Sequence, residues 1–176
     1  MSLFQNIIII MLLIAGAGFL SLSEIALAAA RKVKLKILAE SGEIRAQKVL
    51  DLQEQSADFF AASQIGLNAV AILGGILGEA AFRPFFVELI VQFYRGPWLE
   101  TIGFALSFTM VTSLFILFAD LMPKRLAMIA PEKIAISVIE PIQIFIRICK
   151  PLAWGINAIA NVLFRVFKVN TVRDDN

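Results

Sequence analysis

Ser21-Leu22-Ser23-Glu24 closes an apolar run that begins at Ile7 and is interrupted only by glycine, and Arg31-Lys32-Val33-Lys34-Leu35-Lys36 follows soon after. Two hydroxyls and a carboxylate therefore stand between lipid-like sequence and a basic cluster. Polar atoms at membrane depth are costly without partners, so an ionisable residue there faces a bundle interior or a wet cavity and is a site candidate by default. The plainer alternative gives Ser21 and Ser23 the carbonyls of the preceding helical turn and lets Glu24 reach the interface. Either way the stretch predicts a first membrane span over residues 4–29, which satisfies the roughly 20 residues a hydrocarbon core requires.

Composition points the same way. Hydrophobic residues make up 59% of the 176 and mean hydropathy is +0.82, well above a soluble domain. The expected fold class is all-α integral membrane. Histidine is absent and Cys149 is the single cysteine, which removes Ser-His-Asp and Cys-His catalysis and any intrachain disulfide. No G-x-x-x-x-G-K-[ST] run offers a phosphate cradle. We therefore expect no enzyme, no resident cofactor beyond a bound cation, and no nucleic acid among the partners. The first run lacks a basic n-region and ends in Arg and Lys, so it is kept as a mature helix.

Residues 32–55 turn amphipathic and read as two short helices, broken near Ser41-Gly42, on the cytoplasmic surface. A second span is expected over 59–82, with Gln64, Gly66 and Asn68 in its first half. Gly74 and Gly78 lie four apart on one face and permit close helix approach. The breakers Pro84, Gly96 and Pro97, with Tyr94 and Trp98, suggest an external loop over 83–100 that ends in an interfacial turn. The third span is expected over 99–121 and carries Asp120, with Met122-Pro123-Lys124-Arg125 closing it. From Pro131 to residue 168, apolar residues recur at threes and fours between regularly placed charges. Pro141 and Pro151 favour a kinked belt helix in the cytoplasmic interface over a fourth span. Residues 169–176 read as the start of a linker. The basic residues near the spans place the N-terminus outside and the C-terminus in the cytoplasm.

That topology lets Ser21, Asn68 and Asp120 meet from three spans. With backbone carbonyls freed near Gly66, the set is all oxygen, which suits Mg2+ with its retained waters and equally a primary ammonium with its three donors. Ser21 and Glu24 share a helix face, whereas Ser23 lies about 200° from Ser21 and joins only if the helix unwinds. The plainer alternatives are an Asp120–Lys124 salt bridge at i,i+4 and an interhelical hydrogen bond for Asn68.

The order Phe19-Leu20-Ser21-Leu22-Ser23-Glu24-Ile25-Ala26-Leu27, Gln64-Ile65-Gly66-Leu67-Asn68, Ala119-Asp120-Leu121-Met122-Pro123-Lys124 resembles the transmembrane domain of the CNNM/CorC family. The resemblance covers essentially the whole chain. It implies a bacterial inner-membrane homodimer of three spans plus a belt helix, followed in full-length members by paired CBS domains. In Mg2+-transporting relatives the serine motif, an asparagine of span two and the acid of a G-E-x-x-P-K motif hold the ion. Those roles carry over to Ser21 or Ser23, Asn68 and Asp120. The chain departs from that pattern: relatives with G-N-N-x-x-N are matched by Gly66-Leu67-Asn68-Ala69-Val70-Ala71, and Gly-Glu becomes Ala119-Asp120. Fewer and shorter ligands make an octahedral metal shell harder to supply.

Within the family, the runs Ser23-Glu24-Ile25 through Lys36 and Leu67-Asn68-Ala69 through Gly75 look closest to the branch associated with putrescine and cadaverine efflux. The resemblance thus implies export of small cations, diamines first, with Asp120 pairing one ammonium, Ser21 and Asn68 accepting its hydrogen bonds, and Glu24 at the entrance within reach of the second. A divalent-cation transporter and a non-transporting membrane sensor or scaffold are the alternatives.

Overall fold

The computed structural model describes residues 3–166. The linker expected at 169–176, the last belt residues 167–168 and the side chains of 156–166 lie outside the described residues. In chain order the elements are α1 (Leu3–Ala29), α2 (Lys32–Glu40), α3 (Ile44–Glu54), α4 (Ser56–Ile90), α5 (Leu99–Leu114), a π-helical segment (Phe115–Leu121), α6 (Met122–Ile129) and α7 (Pro131–Val166). Among the described residues no strand occurs, and three stretches are long and apolar enough to cross a membrane: Phe4–Ala29, Phe59–Ile90 and Leu99–Ile129. This is the all-α membrane fold that the apolar runs predict.

Helix α1 is the hub and packs against α4, the π-helical segment, α6 and α7. Its last carbonyls, which a helix end leaves without partners, are met by Gln53: Nε2 donates to Leu27 O at 2.7 Å and to Ala30 O at 3.0 Å. The α2–α3 hairpin turns at Gly42, whose φ of +100° is a conformation side chains disfavour. Beneath α1, Leu35, Val49 and Leu50 of the hairpin meet Ala135, Val138, Ile139 and Ile142 of α7 in one buried cluster. Lys34–Glu132 at 3.4 Å, Arg45–Glu140 at 3.5 Å and Lys48–Glu140 at 3.4 Å rim this contact. Each buried Leu or Ile contributes about 1.5–3 kcal/mol and each exposed ion pair about 0–1 kcal/mol, so the apolar stripe holds the belt and the charges align it. Burial alone would raise the Glu132 pKa, but its own N–H, the Arg31 N–H and the Lys34 ammonium together hold it below the ordinary glutamate value.

A second cluster joins Ile10, Ala17, Ala81, Val111, Phe115 and Ala119. Glycine makes it possible: a Cβ on Gly74 would overlap the Phe115 ring, and one on Gly78 the Val111 side chain. Lipid is as apolar as leucine, so helices associate in a bilayer by such close fit rather than by escaping solvent.

Two expectations are corrected by the structure. Helix α4 does not stop at residue 82 but runs through Pro84 to Ile90, which confines the loop to residues 91–98. Proline forfeits one backbone bond, whereas unwinding the stretch from Phe85 to Ile90, apolar except for Glu88, would expose many in lipid. Nor does Pro123 close the third span. Met122 keeps helical φ −65° and ψ −47°, and the span continues to Ile129. The wider π turn that precedes it accommodates a residue with no N–H and a bulky ring. The helix expected from Pro131 onward is present as α7, with Pro141 and Pro151 inside it.

Candidate functional site

The extension of the third span decides the depth of the polar residues. Ser21 stands eight residues before Ala29 and Asp120 nine before Ile129, so each lies about 12–14 Å from the end of its span at 1.5 Å per residue. The two meet. Ser21 is fully buried; its Oγ donates to Asp120 Oδ1 at 3.1 Å and lies 3.5 Å from the Asp120 carbonyl oxygen. The reach of so short a side chain depends on close backbones. A Cβ on Gly18, one turn earlier, would stand 3.2 Å from Pro123 Cγ and 3.3 Å from Phe118 O of the π-helical segment.

Lys124 Nζ lies 2.6 Å from the same Asp120 Oδ1. The Asp120 side chain is 47% exposed and that of Lys124 37%, so the carboxylate is anchored on one side and open on the other.

Glu24, on the Ser21 face of α1, turns toward α4. Gln64 Nε2 donates to Glu24 Oε1 at 3.0 Å, while Glu24 Oε2 is buried with no hydrogen-bond partner. Polar atoms thus run from α6 and the π-helical segment across α1 to α4: Lys124, Asp120, Ser21, Glu24 and Gln64. Gln64 was not among the residues the sequence nominated. Its signal was available, because Gln64 and Asn68 are four apart in an otherwise apolar helix and so share a face.

The other nominated residues are placed differently. Ser23 is buried and donates to Phe19 O of its own helix at 2.7 Å, and α1 is not unwound between the two serines. Gly66 frees no carbonyl, since α4 is continuous through it. It is instead a packing position: a Cβ there would meet Phe145 Cζ at 2.7 Å and Leu20 Cδ1 at 2.9 Å. Asn68 lies one turn beyond Gln64, on the same face of α4. It is exposed and takes no part in the Ser21–Asp120 contact. Pro123 and Lys124, nominated as structural, lie against α1 and on Asp120 respectively.

What the arrangement offers is a set of acceptors for a cation. Among the described residues no group of three or more His, Cys, Asp and Glu gathers to hold a metal. A cavity of about 650 Å³ opens elsewhere, between the hairpin tip and the start of α7, lined by Leu38, Glu43, Glu132 and Lys133 among others. Its size does not outweigh the chemistry of the membrane-embedded carboxylate.

The comparison with protein families decides the kinship. The model of the cyclin M transmembrane N-terminal domain, CNNM, matches residues 8–176. The chain belongs to the CNNM family. Its curated relatives include the polyamine export proteins of Escherichia coli K12, 51% identical over 172 residues, and of Salmonella typhimurium, 52% identical over 172 residues. Each match covers 98% of this chain and 38% of the relative. The polyamine export protein of Haemophilus influenzae is 44% identical over 175 residues, covering 99% of this chain and 40% of that one. This CNNM chain therefore spans about two fifths of the length of the curated relatives it matches. A membrane protein related to transporters is the level at which kinship and fold agree.

Proposed function

We infer that this chain is the membrane module of an exporter of small cations, with diamines such as putrescine and cadaverine as its cargo. The direction is from cytoplasm to periplasm across a bacterial inner membrane, with the N-terminus outside and the C-terminus in the cytoplasm. The observation that carries the reading is the Ser21–Asp120 contact, a carboxylate held by a second membrane helix yet nearly half exposed. Such a group is costly at membrane depth without a counter-cation; Lys124 supplies one at rest, and a substrate's primary ammonium, with three donors and no acceptor, suits the same hydroxyl–carboxylate pair. The unpartnered Glu24 Oε2 is the acceptor for the second ammonium. Asn68, one turn beyond Gln64 on the same face, is the next acceptor along α4. The relatives' names add support, since they describe polyamine export. Two copies, each with cytoplasmic CBS-pair domains, make up the working protein. No covalent step and no resident cofactor enter this reading.

One observation favours a divalent cation as cargo instead: the Asp120 carbonyl, the Asp120 carboxylate and the Ser21 hydroxyl are hard oxygens within one contact, and Mg2+ needs only one or two carboxylates. Asp120→Ala, expressed in cells lacking the gene, is expected to accumulate diamine while inserting normally in the membrane. Efflux equal to wild type rejects the proposal. Thermal protection by Mg2+ but not by putrescine moves the assignment to the divalent reading, and binding without flux in liposomes moves it to a sensor or scaffold.

A further inference from the structure

The carboxylate assigned to the cargo already holds an ammonium, and it belongs to the protein. Lys124 Nζ lies 2.6 Å from Asp120 Oδ1, the oxygen that also accepts from Ser21 at 3.1 Å. Lysine ends in the group that ends an aliphatic diamine, a compact ammonium with three donors on a flexible four-carbon stem. We propose that Lys124 is an internal competitor and a specificity-determining residue: it occupies Asp120 in the empty protein and is displaced when a substrate ammonium binds. This rests on the reading of Asp120 as the cation site.

Exposure and connectivity support the exchange. The Lys124 side chain is 37% exposed and Asp120 47%, so the stem can withdraw by side-chain torsions alone, without moving α6. By contrast, Arg83 lies over the Phe104 ring at 5.4 Å and binds a Glu79 side chain only 11% exposed. Ser21, fixed on α1, stays on Oδ1 while the cation changes and keeps the carboxylate aimed. Replacing one ammonium by another also keeps the carboxylate paired throughout, while the released Lys124 ammonium turns outward on its partly exposed stem. The carboxylate is then never left unpaired at membrane depth, where an uncompensated charge is most costly.

The same geometry discriminates between cargoes. A divalent metal on Asp120 would place two positive charges beside a lysine that has lost its partner, whereas a diamine places one ammonium there and carries the other away along its chain. Lys124 therefore opposes divalent ions more strongly than diamines.

Calorimetry on the protein as the cell makes it, in lipid nanodiscs, tests this with 1,4-diaminobutane and Mg2+ as probes. Lys124→Met, a neutral residue of similar length, is expected to bind diaminobutane about three- to fivefold tighter, the scale set by loss of a partly exposed ion pair. Its gain for Mg2+ is expected to be larger. Lys124→Gln should move in the same direction, and Lys124→Arg, which keeps the charge, should show no gain. A lysine that merely supports the helix would give weaker binding, not tighter, when removed. Unchanged or weaker binding by both neutral variants, in protein that remains monodisperse, overturns the proposal. If instead wild type and Asp120→Asn bind both probes equally or not at all, the cation-site reading itself has failed; loss of binding in Asp120→Asn without a gain in the Lys124 variants removes only the role of the lysine.

Discussion

Glu79–Arg83 and Asp120–Lys124 are the same device, an acid and a base one helical turn apart, set toward opposite ends of one bundle. The first is closed. Glu79 is buried, Arg83 lies over Phe104, and Ser107, which packs alongside, donates to Gly103 O at 3.2 Å within its own helix. The second is open at its acid: Asp120 is 47% exposed against 11% for Glu79, and it is shared with Ser21 on another helix. Around the first, glycines bring α4 onto Val111 and Phe115; beside the second, Glu24 Oε2 has no partner. Similar pair chemistry thus sits in a packed setting where its acid is enclosed, and in the setting proposed for exchange where its acid is half open and connected to a neighbour. Surroundings, not spacing, assign the role.

The largest effect that would break this contrast is expected at Asp120. Asp120→Asn keeps the shape and the Ser21 hydrogen bond, so the melting temperature should change little while cation affinity falls by about 2–5 kcal/mol; retained affinity ends the distinction between the two pairs. Glu79→Gln should do the reverse. It leaves Arg83 without its counter-charge, and because that arginine is 42% exposed, the melting temperature should fall by less than it would for a fully buried pair. Detergent-phase thermal unfolding measures it, with cation affinity expected to stay at the wild-type value.

Gly74→Val sharpens the packing half, since the added atoms meet the Phe115 ring. A loss of about 1–3 kcal/mol is expected, and a neutral result would mean that the close approach of α4 is not needed. Lys124→Met follows, with its gain of about three- to fivefold in diamine affinity. Smallest is the response of Glu132, which clasps α7 to Lys34 and the Arg31 N–H. Its pKa is lowered on folding, so its contribution is complete above the ordinary glutamate value of about 4.3 and is lost as pH falls through the folded value. Glu132→Gln should flatten that acid limb of melting temperature against pH; an unaltered acid limb would place the clasp elsewhere.

The amphipathic hairpin, broken at Gly42, was legible because a polar stripe and a glycine act locally. The ends of the second and third spans were not. Pro84 and Pro123 look like stops in the sequence, yet in lipid the cost of unwinding exceeds the cost of one missing bond, and a π turn makes room for the second proline. A span ending at Pro123 would put Lys124 at a boundary and leave Asp120 shallower than Ser21. The span that continues to Ile129 sets the two at matching depth. Asn68 stands one turn beyond Gln64 on α4 and is exposed, outside the contact that Ser21 makes with Asp120.

By itself, then, the sequence determined the solvent this chain folds in, the number of its spans, the family, and which oxygens were candidates, because hydropathy, periodicity and motif order are properties of residues taken locally. Only the tertiary structure decided which of those oxygens share a contact. Helix phase and the close approach allowed at Gly18 bring Ser21 onto Asp120 and leave Ser23 on its own helix. Burial of the acid then separates the pair at Asp120 from the one at Glu79, since exposure is set by what packs alongside a residue and not by the residue itself.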